Sequence, residues 1–261
     1  MLVKNPKYRK ALNNNQIRLL KLVFTFRFVT VPLLAEYLGK DKSTIYEQLL
    51  TLVSQEYITK NYDSSYRLPP RPAMYHLAAK GIKYLRDTTD LSQTALRNQH
   101  KNRAASEQLV QQSLQTFTVG NQLQRQYPNQ FDLFTKSQLS TVDGFVRPLP
   151  DLYLQRTHQS QAKPNSYELE LLVPSIPSWL LRKRIRAHCE LSDEVHYQYP
   201  HVLFVCTNDS TESRLQRMLG NVFQGFEFWT MTTERLMNGK LDIWHEKYCE
   251  DEDYQPIFKS L

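Results

Sequence analysis

Two short segments in the second half of the chain carry carboxylates at a spacing that suits metal chemistry. VRPLPDLYLQ, residues 146–155, opens an expected strand with Asp151 directly after a proline. SYELELLV, residues 166–173, alternates acid with leucine, and residues two apart on a strand point to the same side, so Glu168 and Glu170 share a face. If the two strands pair antiparallel, Asp151 comes near one of these glutamates.

Three carboxylates on one strand surface repel each other unless a positive charge lies among them. Mg²⁺ is a natural counter-charge, because it accepts a few carboxylates and keeps some of its waters. It also activates water and offsets charge on a phosphodiester in the transition state. The sequence therefore predicts that Asp151, Glu168 and Glu170 bind Mg²⁺ and catalyse phosphodiester cleavage. The alternative is an edge strand whose acidic face is solvated, with the Pro-Asp pair as turn chemistry.

The chain lacks the sequence motifs of several other chemistries. It contains no Gly-x-x-x-x-Gly-Lys phosphate loop, which argues against an ATP-driven motor. Its histidine spacings fit no zinc motif, and its three cysteines are too far apart for a Cys-x-x-Cys clip. No segment has the apolar length of a membrane span or the pattern of a signal peptide. A cytoplasmic protein with free thiols and no membrane partner is the expectation.

Positive charge is concentrated in the first part of the chain. Residues 1–100 contain 16 Lys/Arg and 7 Asp/Glu, a net charge of +9, whereas residues 101–261 contain 17 and 19, a net charge of −2. A concentrated positive field predicts a polyanionic partner, most simply double-stranded DNA. The alternative is a basic solvated surface without a partner.

The elements expected in this basic part follow the order of a winged helix-turn-helix. Thr30 can cap the second helix and Gly39 can end it, while Ile45, Leu49 and Leu52 form the buried stripe of the third. The supporting segments are three helices followed by two short strands: NNQIRLLKLVFTF (14–26), TVPLLAEYLG (30–39), DKSTIYEQLLTLVSQEYI (41–58), YITKNY (57–62) and MYHLAAKGIKYL (74–85).

In this arrangement the third helix would lie in the major groove and the hairpin loop would reach the DNA backbone or the minor groove. The first turn of the third helix supplies polar side chains suited to base edges and phosphates: Lys42, Ser43, Thr44 and Tyr46. Arg67 and Arg71 in the loop are expected to contact phosphates. Winged helices also dock proteins, and that use stays open here.

The sequence predicts three parts: a winged helix over 1–88, a helical linker or first helix of the next domain over 89–125, and an α/β domain over 126–261. FDLFTKSQL (131–139), LYLQR (152–156) and YELELLV (167–173) have the patterns of strands. HVLFVCTN (201–208) is typical of a strand that is buried on both faces. A basic helix carrying Arg182, Lys183, Arg184 and Arg186 lies between them and could contact phosphates. The fold class is therefore α+β, with a mixed sheet in the second domain.

The chain resembles the replication-relaxation family of bacterial mobile elements from about residue 15 to residue 245. The resemblance is carried by the order of several short segments: RFVTVPLLAEYLG, YHLAAKGIKYL, PDLYL, YELEL, YPHVLFVCTN with SRLQRML, and FWTMTTERLMNGKLDIW. That family couples an N-terminal winged helix to a domain like the PD-(D/E)xK restriction-endonuclease-like nucleases. The resemblance implies a role in DNA processing, replication or transfer of a plasmid or integrated element.

Carried over to this sequence, the resemblance makes Asp151 the first acid of the nuclease motif and Glu168 the second. The motif has a lysine two residues after the second acid, and this chain has Glu170 there. Lys183, on the following helix, or an arginine beside it is the candidate to take the place of that lysine in space. The expected enzyme would be a Mg²⁺-dependent DNA endonuclease that nicks DNA, with a degenerate active site.

Two functions follow from the sequence. In the first, the winged helix selects a DNA site and the nuclease-like domain nicks the DNA or, without catalysis, assembles a complex with a relaxase, recombinase or replication protein. In the second, the chain is a transcription regulator whose second domain, catalytically inactive, serves dimerisation, as a homodimer, effector sensing or protein contacts. The difference between them at the site is whether Asp151, Glu168 and Glu170 converge on a metal ion.

Overall fold

A computed structural model describes residues 11–61, 72–140, 142, 145, 149–157, 166–195, 201–222, 228–238, 242–246 and 259–260. The chain divides into two compact units, residues 1–103 and residues 104–261. The division lies inside the segment 89–125 that the sequence predicts as a linker or first helix, and the predicted domain limits stay predictions. None of the helices in the described ranges has the length and apolarity needed to cross a bilayer.

The first unit contains five helices and three short strands in the ranges described. In chain order they are α1 (Asn14–Phe26), β1 (Val29–Thr30), α2 (Val31–Leu38), α3 (Lys42–Ser54), β2 (Ile58–Asn61), β3 (Met74–Leu77), α4 (Ala79–Thr88) and α5 (Gln93–Gln99), followed by a 3₁₀ helix (His100–Ala104). The strands form an antiparallel sheet in the order β1-β3-β2. This is the order of helices and hairpin that the sequence predicts for a winged helix-turn-helix.

The ends of α2 fix the turn that precedes α3. The side-chain oxygen of Thr30 accepts a hydrogen bond from the Leu33 N–H, and Pro32 occupies the first turn of the helix. The helix ends at Gly39, whose backbone is left-handed with φ of 60°, a conformation that costs glycine little. Both caps confirm the sequence predictions. Asp41 then occupies the N-cap position of α3, without a side-chain capping hydrogen bond.

The core of the first unit lies where α1, α2 and α3 meet the small sheet. Ile45, Leu49 and Leu52 of α3 are fully buried, which confirms the predicted stripe. Leu20 and Phe24 of α1 are buried with them. Because α3 commits this side to the core, its opposite side is left for solvent or for a partner.

The second unit is built on a mixed sheet of seven strands in the described ranges. Its elements are α6 (Glu107–Gln126), β4 (Phe131–Thr135), α7 (Lys136–Leu139), β5 (Leu152–Arg156), β6 (Ser166–Leu172), α8 (Ser178–Val195), β7 (His201–Cys206), α9 (Asp209–Val222), β8 (Phe228–Thr232), α10 (Thr233–Met237), β9 (Asp242–Glu246) and β10 (Lys259–Ser260). The strand order is β10-β9-β8-β7-β6-β5-β4, with β6, β7 and β8 parallel and the other pairs antiparallel. The predicted α+β class with a mixed sheet is confirmed.

The strand expected over 131–139 ends earlier than predicted. It stops at Thr135, where the chain turns into α7, and the Gln138 side chain accepts a hydrogen bond from the Thr135 N–H at 3.0 Å. This local cap outcompetes continued strand pairing. As a result Lys136 begins a helix at the end of a strand instead of lying within one.

Helices cover both faces of the seven-stranded sheet. One face packs against Val119 and Leu123 of α6 and Leu236 of α10. The other face packs against α8 and α9 through four buried residues, Leu181, Ile185, Leu215 and Leu219. The central strand β7 is buried from Val202 to Cys206, which confirms the prediction of a strand covered on both faces.

The alternation of β6 divides its side chains between these two faces. Leu169 and Leu171 join the cluster under α6 and α10. Glu168 and Glu170 therefore point to the α8 side, although β6 lies between β5 and β7 in the sheet interior. Both glutamates are only 2% exposed, so the interpretation of a solvated acidic edge strand is wrong.

Candidate functional site

The three predicted carboxylates lie on two neighbouring strands of the second unit. β5 and β6 pair antiparallel, with Leu152 opposite Leu169 and Tyr153 opposite Glu168. The register continued by one residue places Asp151 opposite Glu170, and the Asp151 N–H donates to the Leu169 carbonyl at 2.9 Å. Asp151 is 4% exposed. The predicted antiparallel pairing is thus confirmed, and the carboxylates it brings together are all buried.

Asp151 is held by three donors. The Lys136 Nζ lies 2.7 Å from Oδ1, the Gln112 Nε2 donates to the same oxygen at 2.9 Å, and the Leu171 N–H donates to Oδ2 at 2.8 Å. Burial alone would lower the pKa of Lys136, but attraction to Asp151 and Glu170 outweighs burial and raises that pKa. Lys136 therefore stays charged and neutralises the aspartate.

Glu168 and Glu170 flank a histidine from α8. The His188 Nδ1 lies 3.3 Å from Glu168 Oε2, and its Nε2 lies 3.5 Å from Glu170 Oε1. The imidazole is 0% exposed and meets the ring of Phe204 edge-on at 6.3 Å. Burial would lower the pKa of His188, but the two carboxylates outweigh burial and raise it to about 9. At neutral pH the buried imidazolium is the positive charge between the glutamates.

Glu170 has a second cation beside it. The Arg184 Nη1 lies 3.1 Å from Glu170 Oε2. Burial would raise the pKa of Glu170, but His188, Lys136 and Arg184 together hold it below its ordinary value. Arg184 and His188 are four residues apart, so one side of α8 presents both to β6.

Lys183 does not occupy the place predicted for it. The residue is exposed on α8, whereas its neighbour Arg184 contacts Glu170. One residue turns a helix by about 100°, so a shift of one position moves a side chain off the sheet-facing side. The cations beside the acids are therefore Arg184 and Lys136, so of the two predicted alternatives the arginine beside Lys183 lies at Glu170 and Lys183 does not.

The cluster does not fit a Mg²⁺ ion in this arrangement. The metal prediction depends on three acids without a counter-charge, yet Lys136, Arg184 and His188 supply three positive groups from the protein itself. Across the part of the chain that the structure describes, no group of three or more His, Cys, Asp or Glu is placed to hold a metal ion. Metal ligation by Asp151, Glu168 and Glu170 stays a prediction, with its test below.

A cavity of about 400 Å³ adjoins this cluster between α6, the end of β6 and the start of α8. Gln112 and Arg184 line it while also contacting Asp151 and Glu170. Its other lining residues are mainly amides and apolar side chains: Glu107, Gln108, Gln111, Leu171, Val173, Ser175, Ile176, Pro177 and Leu180. The cavity meets the acids through three lining residues that contact them, Gln112, Leu171 and Arg184.

The predicted DNA-contacting residues of α3 lie at the surface of the first unit. Lys42, Ser43, Thr44 and Tyr46 are all exposed. Ser43 lies on the side opposite the buried stripe, whereas Lys42 lies in line with that stripe and is exposed because it begins the helix. The Lys60 Nζ of β2 lies 5.6 Å from the centre of the Tyr46 ring, which adds a cation beside this helix. The two predicted loop arginines, Arg67 and Arg71, lie outside the described residues.

Sequence reasoning named Arg184 only as an arginine near Lys183, and it missed His188 and Lys136 as counter-charges of the acidic cluster. Arg184 and His188 had a readable signal, because a four-residue spacing puts them on one side of a helix expected to pack on the acidic strand. Lys136 had none, since only the early end of β4 and its pairing with β5 bring it to Asp151.

Comparison with known proteins leaves the family undecided. No protein-family model matches the chain, and no curated protein matches it. One solved structure with some similarity is the adhesin competence repressor AdcR from Streptococcus pyogenes, at 16% sequence identity. The match covers 40% of this chain and 75% of that chain, with a TM-score of 0.23. A score this low carries no argument about fold or function, and the replication-relaxation likeness stays a resemblance.

Proposed function

We propose that this chain is a DNA-binding protein whose first unit contacts duplex DNA through α3. The observation that carries the proposal is the charge of that unit. Residues 1–103 contain 18 Lys/Arg and 7 Asp/Glu, a net charge of +11, whereas residues 104–261 contain 15 and 19, a net charge of −4. A concentrated positive charge attracts polyanions to the first unit.

The roles of the α3 side chains follow from their positions in its first turns. α3 is the second helix of a helix-turn-helix pair, and the N-terminal residues of that helix contact base edges in the major groove. Lys42 and Thr44 are proposed to read bases, with Ser43 and Tyr46 contacting phosphates or sugars. Lys60, whose ammonium lies beside the Tyr46 ring, adds a positive charge to the same proposed DNA-contacting surface.

We further propose that the second unit is a nuclease-like domain without metal-dependent cleavage. Two features support the nuclease likeness: Asp151 and Glu168 lie on adjacent antiparallel strands, and the Lys136 ammonium lies beside Asp151. Asp151 and Glu168 match the two acids of the PD-(D/E)xK pattern by resemblance, and Lys136, at the end of β4, would supply the lysine from another part of the chain. The internal neutralisation of all three acids supports the loss of cleavage.

Together with the family resemblance, these features favour a role in DNA processing, replication or transfer of a plasmid or integrated element. The second unit would assemble a complex there with a relaxase, recombinase or replication protein. A transcription regulator whose second unit serves dimerisation is the alternative. A search for DNA-dependent complexes with neighbouring gene products distinguishes the two.

Binding of the full chain to duplex DNA should fall steeply with salt and depend on α3. Against duplexes selected in vitro from a random pool, Lys42→Ala/Thr44→Ala should weaken binding by about 10-fold or more, because each base contact contributes about 1–3 kcal/mol. Lys83→Ala removes an exposed charge from α4 and is the matched control. Fluorescence anisotropy at several salt concentrations measures both the affinity and the salt slope.

Equal losses for the α3 double variant and for Lys83→Ala would overturn the assignment of α3. Binding that does not change between low and high salt would overturn the proposal of DNA binding by the basic unit, because neutralised phosphates release counterions.

Mg²⁺ and Mn²⁺ should neither stabilise the chain nor support nicking of supercoiled plasmid. A site filled at about 100 times its dissociation constant would stabilise the folded state by about 2.7 kcal/mol, which thermal unfolding detects readily. We expect equal and small metal effects in the wild type and in Asp151→Asn. Nicking by the wild type that Asp151→Asn abolishes would instead establish a metal-dependent nuclease.

A further inference from the structure

One side of α8 combines an exposed tryptophan with three exposed cations. The four residues follow the spacing i, i+3, i+4, i+7, which places them along one helical stripe over about 10 Å: Trp179, Arg182, Lys183 and Arg186. Trp179 is 68% exposed, the highest value among the exposed large apolar residues in the described ranges. Leu181 and Ile185, on the other side of the helix, are fully buried and fix it to the sheet.

The acidic cluster does not account for this stripe. Arg184 and His188 neutralise the buried glutamates from the sheet-facing side of α8. Arg182, Lys183 and Arg186 form no ion pair with any other residue that the structure describes. They also stand out in a unit whose net charge is −4. Positive charge concentrated on one side of a helix, in a unit that is negative as a whole, favours binding of an anionic partner.

We propose that this stripe binds single-stranded nucleic acid, with a base stacked on Trp179 and phosphates bound by Arg182, Lys183 and Arg186. Proteins bind single strands by combining a line of cations along the backbone with aromatic rings on which bases stack. Because the bases of a duplex are stacked on each other and offer no free face, an exposed indole favours binding to a single strand over binding to a duplex. Leu181 and Ile185 hold the backbone of α8 against the sheet, so the four side chains start from fixed positions along one line.

A membrane surface fits the same stripe less well. Insertion into lipid headgroups requires a broad apolar face, and Trp179 is the single exposed large apolar residue of α8 over residues 178–190. The cations lie on the same side as the indole, whereas an interfacial helix separates its apolar and charged sides.

This site is distinct from the duplex contact proposed for α3. It lies on the other unit, takes a different form of nucleic acid and does not depend on the α3 proposal. A chain with both sites would bind duplex DNA through its first unit and single-stranded nucleic acid through its second.

The test measures binding of the full chain to a fluorescein-labelled oligothymidylate by anisotropy. Trp179→Ala should weaken binding by about 10-fold, since one base stack contributes about 1–3 kcal/mol, and Trp179→Phe should keep most of the affinity. Arg182→Gln/Lys183→Gln/Arg186→Gln should reduce the salt slope by about 2, because each neutralised phosphate of a single strand contributes about 0.7. Met237→Ala, at another exposed apolar position, is the matched control.

The Lys42→Ala/Thr44→Ala variant separates this proposal from that of duplex binding, because it should bind the oligothymidylate as the wild type does. Failure of the wild type to bind it, or equal binding by Trp179→Ala, overturns the stripe as a single-strand site. The same holds if Trp179→Ala instead abolishes binding to anionic phospholipid vesicles, or converts a sedimenting dimer to a monomer. Circular dichroism of each variant confirms that these exposed substitutions leave the fold intact.

Discussion

Replacing His188 by leucine should lower the free energy of unfolding by about 3–5 kcal/mol at pH 7, the usual cost of removing one partner from a buried ion group. The imidazolium lies between Glu168 and Glu170 and is 0% exposed. Leucine fills much of the ring's volume but leaves Glu168 without the cation 3.3 Å from it. Urea unfolding monitored by circular dichroism measures the change. His100→Leu, at an exposed position, should change stability by about 0.5 kcal/mol or less.

The cost should depend on the charges of the glutamates. In the Glu168→Gln/Glu170→Gln background the cation has no carboxylate to neutralise, so His188→Leu should cost far less there than in the wild type. The difference between the two costs isolates the ionic coupling from the loss of ring packing. Equal costs in both backgrounds would show that the histidine is only a packed ring and would contradict the ion cluster.

The cluster explains why the acidic strand could be predicted but its chemistry could not. Periodicity on β6 is local, so the sequence correctly placed Glu168 and Glu170 on one face and Asp151 near them. The counter-charges come from residues that are distant in sequence and meet the acids only in the fold. Lys136 lies 15 residues before Asp151, and the α8 cations lie 14 or more residues after Glu170.

Residue phase on α8 shows a second limit of sequence reasoning. Four of five successive residues from Arg182 to Arg186 are cationic, so composition alone does not say which of them face the sheet. The packing of Leu181 and Ile185 decides it, because these two anchor the helix and carry Arg184 inward. Lys183 is then left on the solvent side, with the stripe of Trp179. The buried apolar positions of α8 therefore had to be identified before its charged residues could be divided between the sheet-facing side and the solvent-facing side.

In the first unit the elements could be predicted with few errors, for a physical reason. Its signals are caps and stripes, such as Thr30, Gly39 and the Ile45, Leu49, Leu52 series, and each acts within a few residues. The same apolar pattern that buries one side of a helix also decides which side chains it leaves exposed. Burying one side of α3 leaves Ser43 and Thr44 outside. Lys42 is in line with the buried stripe and is exposed because it begins the helix.

Stability should fall as pH rises from about 6.5 to beyond 9, by about 3 kcal/mol, because of His188. Its pKa is about 9 in the folded chain, against an ordinary value of 6.5, and each unit of difference is worth about 1.4 kcal/mol. A group whose pKa is raised by folding stabilises fully below the unfolded pKa, and the contribution is lost as pH rises through the folded pKa. The groups facing this imidazole are Glu168 and Glu170, with Arg184 on the far side of Glu170.

Other shifted groups act outside this window. The depressed pKa of Glu170 affects stability below about pH 4.5. Burial, with Glu212 beside it, raises the pKa of Cys206 to about 12, so its effect begins only above the ordinary thiol pKa of 9.0. His76 is buried with a lowered pKa, and for that reason it stabilises more as pH rises through 6.5, opposite in sign to His188. The slope between pH 7 and pH 9 therefore belongs mainly to His188.

Urea unfolding at a series of pH values should show this slope in the wild type and not in His188→Leu. An NMR titration of the imidazole provides a direct reading, since the His188 resonance should remain that of the charged ring at pH 7.5. A His188 resonance that titrates near pH 6.5, or a pH slope that survives in His188→Leu, would mean that the imidazole is neutral between the two glutamates. In that case the acids would again lack a buried counter-charge between them, and the reason for proposing a metal-free cluster would be gone.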